Sequence, residues 1–139
     1  MVGSGQGQLH HRILVVDDHP SFRRMLRMFL EKNSQWEVCG EASDGWEAVK
    51  RTTELRPDII LMDLHMPRLN GLEATRQIHR LLPSTRILIL TLHDNSILPR
   101  IAQESGAQGY VLKSESFDIL NRAIESMGTS DTFFVPSLH

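Results

Sequence analysis

Four short apolar runs of the chain are each followed by a polar side chain that could bind a metal ion or a phosphate group. Three of these side chains, those of Asp17, Asp18 and Asp63, are carboxylates. Packed together they would repel one another, and a bound cation relieves that repulsion. Oxygen ligands at a partly open site suit Mg²⁺, which takes one or two carboxylates together with phosphate oxygens. A lysine and a hydroxyl group can pair with the same phosphate oxygens. In chain order, the polar residues are Asp17 and Asp18, Asp63, Thr91 and Lys113.

Together these groups describe the in-line transfer of a phosphoryl group to a carboxylate, with Asp63 as the nucleophile. Each residue also has a plain structural explanation: Asp17 and Asp18 could cap a helix, and Asp63 could close a turn. Thr91 could simply be a β-branched strand residue, and Lys113 could be a solvated strand end. A shared site is favoured because the four chain positions carry mutually complementary groups.

These side chains can meet only if the apolar runs are neighbouring strands of one sheet. Five strand-like runs alternate with five helical patterns, and a strand begins roughly every 25 residues, the size of a βαβ repeat. Such alternation predicts an α/β fold in which helices cover both faces of a parallel sheet. In the flavodoxin-like, doubly wound five-stranded order 2-1-3-4-5, the first and third strands are neighbours, and the three carboxylates converge at the switch point.

Turn and cap residues set the expected limits of these elements. Pro99 removes a backbone donor, so the fourth helix should begin late, near Leu98, and Gly106 should end it. The predicted strands are Arg12–Val16, Trp36–Ala42, Ile59–Met62, Thr85–Leu90 and Gly109–Leu112. The residues expected to cap or start helices are Asp18 or His19, Asp44, Asn70 and Ser114.

The chain has 139 residues, enough for one domain with a real core. Its 15 Lys and Arg residues and 17 Asp and Glu residues give a formal charge of −2, which does not indicate a nucleic-acid-binding surface. A single cysteine, Cys39, excludes an internal disulfide and is expected to be a small core residue rather than a reactive thiol. The apolar runs are too short to span a bilayer and the N-terminus lacks a signal region, which predicts a soluble cytoplasmic protein without a membrane partner.

Composition divides the chain into three parts. Residues 1–11 are rich in Gly, Gln and His without apolar periodicity, and they are predicted to be a flexible tail. Residues 12–128 contain all the predicted strands and helices and are expected to form the domain. Residues 129–139 are expected to be a short tail or the start of a linker, whose Phe133-Phe134-Val135 segment could pack on the domain or lead onward.

Four motifs resemble the response-regulator receiver domains of two-component signalling, which have the CheY-like fold. They are I-L-V-V-D-D-H-P-S-F-R, D-I-I-L-M-D-L-H-M-P-R-L-N-G, L-T-L-H-D and G-A-Q-G-Y-V-L-K. The resemblance implies a phosphoacceptor that undergoes only self-catalysed phosphotransfer and dephosphorylation, and not a turnover enzyme. It implies that Asp63 accepts phosphate from a histidine kinase and that Thr91 and Lys113 bind the phosphoryl group.

The same resemblance implies a Mg²⁺ site and a switch. Asp18 and Asp63 would ligate Mg²⁺, Asp17 would assist through water, and the backbone carbonyl of His65 would complete the protein ligands. Tyr110 matches the aromatic residue that changes rotamer as Thr91 moves toward the phosphoryl group. The new negative charge would thereby alter packing on the face of the fourth helix.

The motifs D-D-H-P, L-H-M-P and G-Y-V-L-K are most similar to regulators of the NarL/LuxR type. That type implies a phosphorylation-dependent homodimer and a C-terminal helix-turn-helix domain that binds DNA. The residues after the last predicted helix are too few for such a domain, so DNA binding is expected only through a domain that this chain does not contain. A stand-alone receiver, or an interaction module independent of phosphorylation, is the alternative.

Several residues leave alternatives open. His65 and His93 lie two positions after Asp63 and Thr91, where they could tune the lifetime of the phosphate or be exposed loop residues without a role. A metal site of His65, His93 and His19 does not have transition-metal spacing. The family often has proline, with a cis peptide bond, where this chain has Ser114. The sequence therefore does not determine the conformation of the Lys113–Ser114 peptide bond.

Two other activities suit the same fold less well. A phosphatase with an aspartate nucleophile typically has D-x-D at the nucleophile, and this chain has His65 at the second position. A flavin carrier needs a phosphate cradle, whereas the loop after the first strand is acidic and would repel flavin mononucleotide.

Overall fold

A six-stranded parallel β-sheet organises residues 10–135, the part of the chain that the computed structural model describes. The strand order is 2-1-3-4-5-6, so the order predicted for the first five strands is confirmed. The predicted number of strands is one too few because a short strand follows the last helix. The strands are β1 (His11–Val16), β2 (Trp36–Ala42), β3 (Ile59–Met62), β4 (Arg86–Thr91), β5 (Gly109–Leu112) and β6 (Phe133–Phe134).

Five helices connect the strands in the predicted alternation. Asp44 and Asn70 cap their helices as expected, accepting hydrogen bonds from the backbone N–H groups of Glu47 and Glu73. None of the helices in the described range is long and apolar enough to cross a membrane. The helices are α1 (Pro20–Glu31), α2 (Gly45–Leu55), α3 (Gly71–Leu81), α4 (Leu98–Ser105) and α5 (Phe117–Gly128).

Two details at helix starts differ from the sequence expectation. Ser116, not Ser114, caps α5, because the chain first makes a turn in which the Glu115 N–H binds the Leu112 carbonyl. His19 occupies the cap position of α1 without a side-chain cap hydrogen bond, and Pro20 follows it in the first turn. The late start of α4 at Leu98 is as predicted.

The core consists of two apolar layers, one on each face of the sheet. Ile13 and Val15 of β1 face the layer under α1 and α5, whereas Leu14 and Val16 face the layer under α2, α3 and α4. This division follows from the alternation of side chains along a strand. Cys39 is half-buried and packs against the second of these layers, and burial raises the pKa of its thiol, as expected for a structural cysteine.

The strand β6 lies in the segment that was predicted from the sequence to be a short tail or the start of a linker. The Phe133 N–H binds the Gln108 carbonyl at 3.0 Å, and the Val135 N–H binds the Tyr110 carbonyl at 2.8 Å. Phe133 and Phe134 are half-buried against opposite faces of the sheet. At the other end of the chain, His11 belongs to β1 rather than to a tail. The expectations for residues 1–9 and 136–139 lie outside the described residues.

Candidate functional site

The carboxyl edge of the sheet brings the predicted site residues together. Asp17 directly follows β1, Asp63 follows β3, Thr91 is the last residue of β4, and Lys113 follows β5. Because these strands are parallel and adjacent, all four positions lie on one edge. Four strands with buried apolar side chains hold these residues in place.

The Asp63 carboxylate is buried at the centre of this edge. Its Oδ1 accepts a hydrogen bond from the Leu64 N–H at 2.8 Å, and its Oδ2 lies 3.4 Å from Lys113 Nζ. Burial raises the pKa of Asp63 above its ordinary value; Lys113 and the Leu64 N–H oppose this shift, and the negative charge of Asp17 adds to it. The group is thus a shielded carboxylate whose charge is incompletely balanced by its neighbours.

Lys113 is shared between two carboxylates. Its Nζ lies 2.6 Å from Asp17 Oδ2, nearer than it does to Asp63. The ammonium also lies over the Phe22 ring, 4.2 Å from the ring centroid, a cation–π arrangement. This contact of Lys113 with Phe22 was not predicted from the sequence. The Phe22 ring therefore supports the ammonium of Lys113, which can donate to either carboxylate.

A cluster of four side chains could hold a metal ion. One ligand atom from each of Asp17, Asp18, His19 and Asp63 lies within 4.8 Å of the others. Asp18 Oδ1 is buried without a hydrogen-bond partner among the described residues. His19 Nδ1 lies 3.1 Å from that oxygen, but its hydrogen bond is with Asp17 Oδ1, at 3.2 Å. A buried, unpaired carboxylate oxygen beside two further carboxylates is a donor set that suits a cation.

His19 is a member of this cluster that the sequence expectation left out. It had been expected only as a possible helix cap, and a three-histidine site with His65 and His93 had been judged weak because of its spacing. In the structure its backbone N–H also donates to Asp17 Oδ1, at 2.9 Å. Within residues 10–135, it is the one histidine grouped with the carboxylates, so the three-histidine site does not form. Its position directly after two aspartates was the available signal.

Asp18 also borders a cavity of about 480 Å³ beside the acidic cluster. His65 and Asn70 contribute polar edges, and the remaining lining is apolar. This opening gives a small molecule or a partner's side chain a route to the edge of the sheet. The apolar lining residues are Leu64, Met66, Leu72 and Leu98.

Thr91 and Tyr110 both bind the backbone of His93. The Thr91 hydroxyl accepts a hydrogen bond from the His93 N–H at 3.3 Å, and the Tyr110 hydroxyl donates to the His93 carbonyl at 2.8 Å. Burial, with a smaller effect of Asp94, raises the pKa of Tyr110 to about 12, so the hydroxyl remains a donor at neutral pH. The loop after β4 is thus held by Thr91 and Tyr110, the two residues that the family resemblance implies as a switch.

His65 and His93 lie on the loops after β3 and β4, above the same edge. Both are exposed, and their rings stack with centroids 3.6 Å apart and an angle of 27° between the ring planes. The two loops that flank the acidic cluster are therefore in direct contact. The two histidines hold equivalent positions in the sequence, two residues after Asp63 and Thr91, but the contact between their rings was not predictable from it.

A comparison with known families decides the class of protein. The model of the response regulator receiver domain matches residues 13–125. The chain belongs to the response regulator receiver family. This receiver domain is 48% identical over 105 residues to the transcriptional regulatory protein LiaR of Bacillus subtilis, an alignment that covers 74% of this chain and 49% of LiaR.

Solved structures show the same relationship. A LuxR-family two-component response regulator from Aurantimonas sp. SI85-9A1 has a TM-score of 0.86 at 40% identity, with 89% of each chain covered. The signal receiver domain of the putative response regulator NarL from Mycobacterium tuberculosis has a TM-score of 0.82 at 29% identity, covering 86% of this chain and 97% of that one.

These findings confirm the predicted family and fold, and they place LuxR-family regulators among the relatives of this receiver domain. A response regulator receiver is generally not a catalytic enzyme, which agrees with the sequence prediction and not with the phosphatase alternative. The chain spans between 49% and 60% of the length of three curated relatives that it matches.

Proposed function

We propose that this receiver domain accepts a phosphoryl group from a histidine kinase on Asp63, with Mg²⁺ bound beside it. The observation that carries the proposal is the arrangement around Asp63. The buried Asp63 carboxylate belongs to an acidic cluster whose Asp17 and Asp63 oxygens both lie near the Lys113 ammonium. In that cluster Asp18 Oδ1 is buried without a hydrogen-bond partner among the residues that the structure describes. An isolated turn residue or helix cap would need none of these neighbours.

The residues that would hold the ion are Asp17, Asp18 and Asp63, together with the backbone carbonyl of His65. When bound, Mg²⁺ neutralises the phosphoryl oxygens and offsets the mutual repulsion of the carboxylates. His19 already contacts two of the carboxylates, so it shapes the same pocket. The donor set consists mainly of hard oxygen atoms, which favours Mg²⁺ over softer metals.

In the transfer step, an Asp63 oxygen attacks the phosphorus atom and forms a P–O bond as the P–N bond of phosphohistidine breaks. The electron pair stays on the departing imidazole nitrogen, which takes up a proton. Lys113 donates to the phosphoryl oxygens by turning from Asp17 toward the new charge. Its position over the Phe22 ring limits the other directions in which it can move.

The response to phosphorylation would begin at Thr91. Its hydroxyl can leave the His93 N–H and donate to a phosphoryl oxygen. Because Tyr110 holds the carbonyl of the same His93 residue, a displacement of this loop changes the environment of the tyrosine. Because the stacked His65 and His93 rings lie on the loops after β3 and β4, at the same edge of the sheet as Asp63, we propose that they tune the lifetime of the phosphoryl group.

The output of the whole protein is proposed from its relatives. LiaR is a transcriptional regulatory protein, and several relatives are LuxR-family regulators. A formal charge of −2 makes direct DNA binding by these 139 residues unfavourable, so DNA would be bound by a further domain, in a phosphorylation-dependent homodimer. We place the protein in the cytoplasm, with residues 12–128 as the main part of the receiver; His11 of β1 and the strand β6 extend its sheet beyond these limits.

Labelling with radioactive acetyl phosphate and Mg²⁺ tests the phosphoacceptor. The wild type should be labelled, and Asp63→Asn should not. Asp58→Asn is a matched control, because Asp58 is an exposed aspartate at the opposite end of β3. Its labelling should equal that of the wild type, and a chelator should abolish both. Equal labelling of Asp63→Asn would contradict Asp63 as the acceptor, and an unlabelled wild type would favour an interaction module independent of phosphorylation.

A further inference from the structure

Arg23, in the first turn of α1, joins three parts of the fold. Its NH1 group donates to the Asp17 backbone carbonyl at 2.6 Å, and its Nε donates to Glu41 Oε1 at 2.9 Å. Glu41 belongs to β2 and lies opposite Val15 of β1 in the sheet register. The side chain of Arg23 is only 17% exposed. One guanidinium group therefore ties the acidic loop after β1 to the neighbouring strand.

The bond to the Asp17 carbonyl bears on the orientation of Asp18. The carbonyl of Asp17 and the backbone nitrogen of Asp18 belong to one planar peptide unit. Holding that plane sets the position of the Asp18 Cα and so restricts where its side chain can reach. Asp18 Oδ1 is the buried oxygen of the acidic cluster that has no hydrogen-bond partner among the described residues. Repulsion among the carboxylates would otherwise spread this loop apart.

Glu41 provides a second anchor that stays charged. Burial raises the pKa of its carboxyl group, but the hydrogen bonds and charges of Arg27 and Arg23 outweigh burial and lower it. Arg27 binds Glu41 Oε2 through Nε at 3.0 Å and NH2 at 2.9 Å, and it binds Glu31 at 3.1 Å. Both arginines therefore hold Glu41, whereas the bond to the Asp17 carbonyl comes from Arg23. Arg27 is thus a matched control.

We propose that Arg23 is a positioning residue for cation binding: by holding the Asp17 carbonyl against Glu41, it fixes Asp18 in the orientation that Mg²⁺ requires. The inference rests on the proposed function, because it assigns the metal to the acidic cluster. Arg23 does not touch the reacting atoms, so it acts on the affinity for Mg²⁺ and not on the transfer step itself.

Titration of the full chain with Mg²⁺, followed by the amide NMR signals of residues 17–19, measures this affinity directly. Arg23→Met should weaken Mg²⁺ binding by about 10- to 100-fold, the usual effect of losing a group that orients a metal ligand. Arg27→Met should stay within about twofold of the wild type, as expected for a partly exposed ion pair. Arg23→Lys should recover part of the affinity, because one ammonium can reach either acceptor but lacks the guanidinium fork.

Acetyl phosphate labelling separates positioning from general damage. At saturating Mg²⁺, Arg23→Met should reach the maximal labelling rate of the wild type, while the Mg²⁺ concentration for half-maximal rate rises in step with the dissociation constant. Thermal unfolding of each variant shows whether it is folded, and if Arg23→Met does not fold, Arg23→Lys decides the question by binding Mg²⁺ more weakly than the wild type.

Wild-type Mg²⁺ affinity in a folded Arg23 variant would overturn the inference, as would an equal loss in Arg27→Met. A lowered maximal rate with unchanged Mg²⁺ affinity would overturn it as well. A failure of the proposed function looks different, because the wild-type chain itself would then neither bind Mg²⁺ nor become labelled on Asp63.

Discussion

Asp63 has a different balance of charge from a carboxylate on the surface. Burial and the nearby Asp17 favour its neutral form, and Lys113 and the Leu64 N–H favour its charged form. Because the pKa of Asp63 is raised, burial and Asp17 together outweigh Lys113 and the Leu64 N–H in the absence of a metal ion. A divalent ion would reverse this balance, so the charge of the proposed nucleophile and the binding of the metal are linked.

The raised pKa predicts how stability depends on pH. The folded protein binds the Asp63 proton more tightly than the unfolded chain does, so the free energy of unfolding falls as pH rises from about 3.9, the ordinary value, through the folded pKa. Asp63→Asn should therefore be more stable than the wild type at pH 7 without metal. The advantage should disappear below the ordinary pKa, where both side chains are neutral.

Urea unfolding with a chelator at several pH values measures this difference. Lys113 keeps Asp17 as a partner at 2.6 Å, so the asparagine does not leave the lysine unpaired. Mg²⁺ should reduce the advantage of Asp63→Asn, because the ion stabilises only the ionised carboxylate. Equal stability of the two proteins at pH 7 without metal would show that the neighbours already balance the Asp63 charge.

At the scale of elements, the start of α3 lies directly against the backbone of Asp63. The Gly71 N–H binds the Leu64 carbonyl at 2.9 Å, and a Cβ added at Gly71 would lie 2.0 Å from the Asp63 carbonyl oxygen. Backbone atoms cannot move aside as a flexible side chain can. The absence of a side chain at this position therefore allows the helix to approach the phosphoacceptor segment.

Gly71→Ala should displace the segment that carries Asp63. We expect a loss of at least about 2 kcal/mol in the free energy of unfolding, from steric overlap with backbone, and slower labelling by acetyl phosphate. Gly40→Ala is the control, because its added Cβ would meet the end of the Leu55 side chain, which can rotate away. Similar losses in the two variants, measured by urea unfolding, would contradict this explanation.

The positions of the first five strands could be predicted from the sequence because buried runs and helix caps are local signals. Their order in the sheet is not local, and it followed from the flavodoxin-like fold that the strand–helix alternation suggests. Asp44 and Asn70 stand directly before their helices, and the structure uses both as caps. Ser114 failed as a cap because a turn at Glu115 delays α5, and a turn of that length has no distinctive pattern. The strand β6 was missed because a two-residue strand carries no periodicity.

The candidate site was predictable to the extent that it depends on strand ends. Asp17, Asp63, Thr91 and Lys113 are placed on one edge by topology alone. The contacts of Phe22 and Arg23 could not be predicted, because they depend on how far a long or aromatic side chain reaches once α1 has packed against the sheet. In sequence, both residues belong simply to an amphipathic helix.

At the scale of the whole molecule, β6 connects the end of the described chain to the core. Phe134 is half-buried against the layer that contains Tyr110 and Ala102, and it lies opposite Tyr110 in the sheet register. The Val135 N–H binds the Tyr110 carbonyl. The residue proposed to respond to phosphorylation is therefore paired with the segment that follows α5.

Phe134→Ala should cost about 1–2 kcal/mol of unfolding free energy, because roughly half of a phenylalanine side chain is withdrawn from water. Phe134→Leu should cost clearly less, since leucine keeps most of the apolar contact. Urea unfolding measures both values, and hydrogen exchange at the Val135 amide should become faster in the alanine variant. Unchanged stability in Phe134→Ala would show that β6 is only loosely attached.

The two edges of the sheet have consequences for how copies of the molecule can meet. On one side the outermost strand, β6, has only two residues. On the other side β2 carries the charged residues Glu37 and Glu41, and a register shift opposite Ile13 and Leu14 interrupts its pairing with β1. Short, charged or bulged edges resist the addition of a further strand. We therefore expect two copies to associate through helix faces, without a sheet that continues from one molecule into the next.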